Sequence, residues 1–250
     1  MRYRSTAALS LSVMAAVGMT LASSALMPNA AQAFTLSLNP QFGSTENTGA
    51  TATLDFDFVQ QGNNVLLNLG IQNTTNGTAG LGATQATLVG VALDLLAGPV
   101  TSFTYNAGSS AFTKTYNSLN IPGSFGNIVF DYGIRSAGPG NFVGGNPQQG
   151  LTAGQSSIVS FLLSGSGTLN AAAVEQSFFS AYSNGSMSAA GRFQQVNAGG
   201  GSDKVLGGNP TPDNPPAAAV PEPASMLGML AAGAMFLNRK KLQQKATLAD

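Results

Sequence analysis

Leu54-Asp55-Phe56-Asp57-Phe58 and, beyond Gly62-Asn63-Asn64, Val65-Leu66-Leu67-Asn68-Leu69-Gly70-Ile71 set the period on which the chain is built. In the first run Leu54, Phe56 and Phe58 share one face, and Asp55, Asp57 and Val59 share the other. In the second, Val65, Leu67, Leu69 and Ile71 fall together. Successive side chains of an extended backbone point to opposite sides, so one apolar set repeating every two residues describes a half-buried strand.

The same alternation recurs at Val89-Val91-Leu93-Leu95, Ile128-Phe130-Tyr132 and Val159-Phe161-Leu163, each bounded by Gly, Asn, Ser or Pro. Thr35 to Leu38, Ser102 to Asn106, Ala111 to Tyr116 and Ala189 to Val196 carry weaker versions. About nine strands with turn signals between them predict an all-β domain, a two-sheet antiparallel β-sandwich of jelly-roll or immunoglobulin-like type. The period changes once. Val174, Phe178 and Ala181 stand at helical spacing within Asn170 to Tyr182, with Asn170 placed to cap, which predicts one short helix.

The ends read differently. Arg2 and Arg4 precede an uncharged stretch from Ala7 to Met27, and Ala31-Gln32-Ala33 puts small residues where a signal peptidase requires them. Residues 1–33 are therefore expected to be a signal helix cut before Phe34. Residues 34–197 form the expected folded domain. Residues 198–219, with Gly199-Gly200-Gly201 and Pro215-Pro216, are expected to be a linker.

Residues 220–250 begin with Val220-Pro221-Glu222-Pro223, continue in an apolar run to Leu237 and carry the basic cluster Arg239-Lys240-Lys241. This order resembles the PEP-CTERM sorting signal of exported bacterial proteins, and the body's composition, with Ala190-Gly191-Arg192-Phe193-Gln194 and Gly201-Ser202-Asp203-Lys204, is similar to cyanobacterial surface proteins with such tails, a resemblance that brings no activity with it. The resemblance implies recognition and cutting near Pro221-Glu222-Pro223 by an exosortase-type membrane protease, in bacteria that make exopolysaccharide. The chain departs from the pattern by continuing from Leu242 to Asp250. The physics of the run agrees: Ala224 to Leu237 spans 14 residues, about 21 Å as a helix, against a hydrocarbon core of roughly 30 Å. It is a hydrophobic helix too short for a permanent anchor, with its basic end on the cytoplasmic side.

Composition removes several function classes. From Phe34 to Pro223 there are four basic and nine acidic residues, so no basic patch exists for nucleic acid. The chain has no cysteine and no histidine, which leaves no disulfide framework, none of the usual nitrogen and sulfur zinc ligands and no usual base for a serine nucleophile. Lys114 and Lys204 lack the Ser-x-x-Lys spacing, and Gly138-Pro139-Gly140 and Gly144-Gly145 lack the order of a phosphate cradle. No cofactor is expected.

What remains are carboxylates and aromatics. Asp55 and Asp57, about 7 Å apart on one strand face, could suit calcium or a glycosidase pair, but the apolar neighbours claim the core side and leave them facing solvent. Asp94 and Asp131 interrupt apolar strands and read as structural. Phe103, Tyr105, Tyr116 and Phe142 lie in or beside loops, where a ring either stacks on a sugar or packs in the core. The leading expectation is a non-catalytic surface or extracellular-matrix protein whose transient partners are signal peptidase and an exosortase-type protease. A carbohydrate-binding module for exopolysaccharide comes next, and a two-carboxylate enzyme acting on polysaccharide last.

Overall fold

The computed structural model describes residues 33–213, apart from 97, 109, 122–124, 126 and 127. Ala31, the motif from Val220 to Pro223, the cluster Arg239-Lys240-Lys241 and the two expected flanking helices lie outside the described residues.

The strands are β1 (Phe34–Leu38), β2 (Ala52–Gln61), β3 (Asn64–Asn73), β4 (Thr87–Leu93), β5 (Val100–Asn106), β6 (Lys114–Asn120), β7 (Val129–Arg135), β8 (Leu151–Thr152), β9 (Ser156–Gly165), β10 (Ala189–Gln194) and β11 (Ser202–Pro212). Each neighbouring pair is antiparallel, in the order β5-β9-β3-β2-β1-β11-β10-β4-β7-β6, with β8 beside β7 on the same edge of β4. The all-β antiparallel class expected from the sequence is the one observed. The two packed sheets are instead one continuous sheet, curled until its ends approach: Tyr105 of β5 and Tyr132 of β7 have ring centroids 6.3 Å apart. The end strands β5 and β6 are consecutive in the chain, so residues 107–113 span the open seam and place Phe112 in the core.

β11 makes the sheet continuous. Its first half, Ser202 to Leu206, pairs with β10; its second half, Gly207 to Pro212, pairs with β1. This corrects the expected linker, because the chain from Ser202 to Pro212 is a strand at the middle of the sheet and the domain runs past residue 197. Two glycines and two prolines hid it. The glycines allow close approach: a Cβ on Gly208 would lie 2.6 Å from the Phe42 ring, and one on Gly207 would lie 3.0 Å from Leu36 and Leu38. The ladder shifts register between Gly208 and Thr211, with Asn209 at φ 51°, so Pro210 falls in a bulge. Pro212 stands opposite Phe34, and the neighbouring Asp213 amide supplies the bond to β1 through the Ala33 carbonyl, 2.7 Å away.

The core lies inside the curl. Phe34 is 1% exposed and stacks on Phe56 with centroids 4.6 Å apart and planes 7° from parallel. The helix α1 (Ala171–Ser183) closes one end of the curl and inserts Val174, Phe178 and Tyr182. Its Asn170 side chain caps the Ala173 amide at 3.0 Å, as the sequence predicted. Gln60 of β2 grips the helix entry, accepting from the Ala171 amide and donating to the Leu169 carbonyl, both at 2.9 Å.

β4 is buried along its whole length because a second apolar cluster covers the outside of that half of the sheet. There the Phe142 ring lies on Gly90 and Gly133, where added Cβ atoms would meet it at 3.1 and 3.0 Å. Beside it Arg135, 1% exposed, donates from Nη2 to the Gly138 and Gly140 carbonyls at 3.0 and 2.9 Å and from Nε to the Tyr116 hydroxyl. This anchors loop 136–150 on the sheet.

The strand directions give the domain two unlike poles. The start of β1, the β2–β3 turn, the end of β9, α1, the start of β10 and the end of β11 meet at one. Loops 39–51, 74–86, 107–113, 136–150 and 195–201 and the β8–β9 turn gather at the other. Truncating the Phe34 stack tests this packing: Phe34→Ala lowers unfolding free energy by about 3–5 kcal/mol in urea titration. The same measurement on Ile158→Ala, at a site 68% exposed, shifts stability by no more than about 0.5 kcal/mol.

Candidate functional site

The loop pole is organised around one carboxylate. Asp203, at the start of β11 and fully buried, accepts from the Ser44 hydroxyl at 2.7 Å, the Thr48 hydroxyl and amide at 2.8 and 2.9 Å, and the Thr45 hydroxyl at 3.0 Å. The amides of Thr45 and Glu46 approach at 3.1 and 3.2 Å. Loop 44–48 is thereby wrapped around the carboxylate, and it in turn holds loop 74–86 through Leu81 and Ala83 amides donated to the Asn47 and Thr48 carbonyls. Burial alone would raise the Asp203 pKa, but the donors from Ser44, Thr48 and Glu46 outweigh it and hold the carboxyl below its ordinary value. From the sequence Asp203 stands out only as part of Gly201-Ser202-Asp203-Lys204, with no role attached to it. Its alternation with Val205 makes it an inward-facing position once β11 is recognised as a strand.

The carboxylates singled out from the sequence are placed apart from one another in role. Asp55 and Asp57 sit on the outer face of β2, on the side away from Leu54, Phe56 and Phe58. Thr35 lies with its hydroxyl 2.7 Å from Asp55 Oδ1 and 2.9 Å from Asp213 Oδ1, and the Asn68 amide donates to Asp57 at 3.3 Å. Asp94 and Asp131 do come together, at the helix pole. Asp94 accepts from the Ser188 amide at 2.7 Å and Asp131 from the Leu95 amide at 2.9 Å. Burial, with Asp131 nearby, raises the Asp94 pKa despite the Ser188 bond. Each carboxylate ties down the chain end beside its strand.

The four aromatics do not share a surface. Phe103 and Tyr105 pack against the main core, and burial pushes the Tyr105 hydroxyl up to about 12. Phe142 is buried in the outer cluster, with Tyr116 edge-on to it and under the Arg135 guanidinium. Lys114 begins the edge strand β6, and Lys204 lies opposite Arg192 across β10 and β11. Among the described residues no group of three carboxylates is arranged to hold a metal ion.

A cleft of about 740 Å³ opens at the loop pole between loop 107–113, the end of loop 136–150 and the β8–β9 turn. Its polar lining comes from Ser110, Thr113, Gln149, Gln155, Ser156 and Ser157. None of these positions was singled out from the sequence, because three separated segments meet only after the sheet curls. Among the described residues no helix is long and apolar enough to cross a membrane. Comparison with known protein families, with curated proteins and with solved structures finds no match.

Asp203 gives the site a measurable signature. Asp203→Ala strands several buried donors and costs about 3 kcal/mol or more, whereas Asp203→Asn costs less. A carboxylate with a depressed pKa contributes stability above the unfolded value near 3.9, and that contribution is lost as pH falls through the folded one. The stability gap between the native chain and Asp203→Asn, followed by urea unfolding, therefore holds constant above about pH 5 and narrows below about pH 4.

Proposed function

We propose that the chain is an exported, non-catalytic surface or extracellular-matrix protein, held briefly at the membrane by its two ends and then released. The observation that carries this reading is the pairing of the fold's own ends. Ala33 and Asp213 are hydrogen-bonded partners on adjacent strands, so the segments before and after the domain leave from one pole. That is the geometry a domain needs if a signal peptide and a C-terminal sorting segment are both to reach the same membrane face while the body stays outside.

The cleavage bond expected after Ala31-Gln32-Ala33 supports the same reading. It falls immediately before Phe34, the first residue of β1 and already part of the core. Cutting there leaves β1 whole and costs the sheet one bond at its margin, from the Asp213 amide to the Ala33 carbonyl. It would also create an α-ammonium one residue from Thr35, whose hydroxyl lies between the carboxylates of Asp55 and Asp213. The curled sheet, like the sandwich expected from the sequence, is a compact spacer with few charges, suited to a hydrated polysaccharide matrix.

At the other end the tether is shorter than the sequence suggested. With the strand running to Pro212, residues 214–220 separate Asp213 from Pro221, a reach of at most about 30 Å when fully extended. An exosortase-type protease cutting near Pro221-Glu222-Pro223 would work close beneath the helix pole. The loop pole then faces away from the membrane.

Intact mass of the released protein, expressed in a bacterium that carries the sorting protease, tests the proposal. The expected species begins at Phe34 and ends near Pro223; a membrane-bound product that retains Arg239 to Asp250 contradicts it. Deleting residues 214–219 is expected to leave the domain folded but to slow release by about tenfold or more, because the folded pole then crowds the cut site.

A further inference from the structure

The cleft at the loop pole has a chemistry that export and sorting do not use. Its six polar side chains are all hydroxyls and amides, and the described residues lining it include no Asp, Glu, Lys or Arg and no aromatic ring. The hydroxyls of Thr113, Ser156 and Ser157 and the amide of Gln149 make no hydrogen bond within the described protein, and Gln155 uses only its oxygen, accepting from the Thr152 amide at 3.0 Å. Ser110 accepts from the Phe112 amide at 2.9 Å and bonds the Tyr105 hydroxyl, so it is held in place at the back of the cleft.

Such a surface discriminates by what it lacks. A charged ligand finds no counter-ion, and a flat apolar ligand finds no ring to stack on. A neutral molecule rich in hydroxyl groups finds donors and acceptors in alternation, each able to serve either way. Glycine keeps the site open: Gly154, at φ 85°, has nothing within 4 Å of where a Cβ would stand, and it bends the turn that carries Gln155, Ser156 and Ser157. The volume is that of a small-molecule site.

We infer that this cleft binds an uncharged oligosaccharide segment of a longer polysaccharide. The cleft sits at the pole opposite Ala33 and Asp213, so a chain of sugars can enter it while the other pole is still tethered. Affinity is weak, since neutral hydrogen bonds to exposed groups exchange with those of water. Many copies along one polymer make up for this through multivalency. The inference deepens the carbohydrate-binding reading and names its site, but it does not depend on whether either terminal segment is cut.

The test uses the full chain with both terminal segments, kept in detergent, so that a failure of processing cannot affect it. Cellohexaose, maltohexaose and a neutral galactan oligosaccharide are titrated by isothermal calorimetry, with oligogalacturonate as the charged comparison. At least one neutral oligosaccharide is expected to bind with a Kd below about 10 mM and more tightly than oligogalacturonate. The combined variant Thr113→Val, Ser156→Ala, Ser157→Ala is expected to weaken that binding by about tenfold or more with an unchanged unfolding midpoint. Gln149→Ala is expected to weaken it several-fold, and Asp57→Asn, on the outer face of β2, to leave it unchanged. Absence of binding to all the neutral probes, tighter binding of oligogalacturonate, or binding indifferent to the cleft variants overturns the inference.

Discussion

The structure depends on a strand that serves two neighbours in succession. The first half of β11 lies against β10 and the second against β1, so neither half of the curled sheet is complete without it. The chain leaving β1 keeps to the same strand: Gly43 and Thr45 exchange backbone hydrogen bonds with Leu206 and Lys204. Residues far apart in sequence are thus fixed side by side, and Asp203, carried on β11, binds the loops that follow. Non-local pairing of this kind costs loop-closure entropy, which the aromatic stack around Phe34 and the buried core of both halves offset.

Two functional consequences come from that single arrangement. Because β1 opens the fold and β11 closes it as neighbours, Ala33 and Asp213 lie together at the helix pole. Loops 39–51, 74–86, 107–113, 136–150 and 195–201 turn at the opposite pole, where they are free to build a surface. Asp203 makes the loop pole firm from below through hydroxyls and backbone amides, and Arg135 makes loop 136–150 firm from the side through backbone carbonyls and the Tyr116 hydroxyl. In a chain with only 8% charged residues, Asp203 and Arg135 each serve as a hub for several polar groups.

Much of the fold was legible because its strands are half-buried. β2, β3 and β9 announce themselves by period two, and α1 by its change of period and its Asn170 cap. β11 was illegible for local reasons: Gly207, Gly208, Pro210 and Pro212 are turn and linker residues wherever packing does not decide, and here the nearness of Leu36, Leu38 and Phe42 decided. The same holds for the joining of two sheets into one, which rests on that strand. The carboxylates Asp55 and Asp57 were placed correctly on the outer face by alternation alone. The cleft and the Asp203 hub were not readable, since each is a meeting of segments whose spacing in sequence carries no pattern.

Hydrogen exchange on the full chain tests the central claim most directly, because a strand and a linker differ in amide protection by orders of magnitude. The amides of Val205 and Leu206 are expected to exchange as slowly as those of β1 and β10, in one cooperative unit with them. Exchange of these amides at the rate of an unstructured chain, with β1 and β10 still protected, would contradict a sheet held together through β11 and return residues 198–219 to the role of a linker.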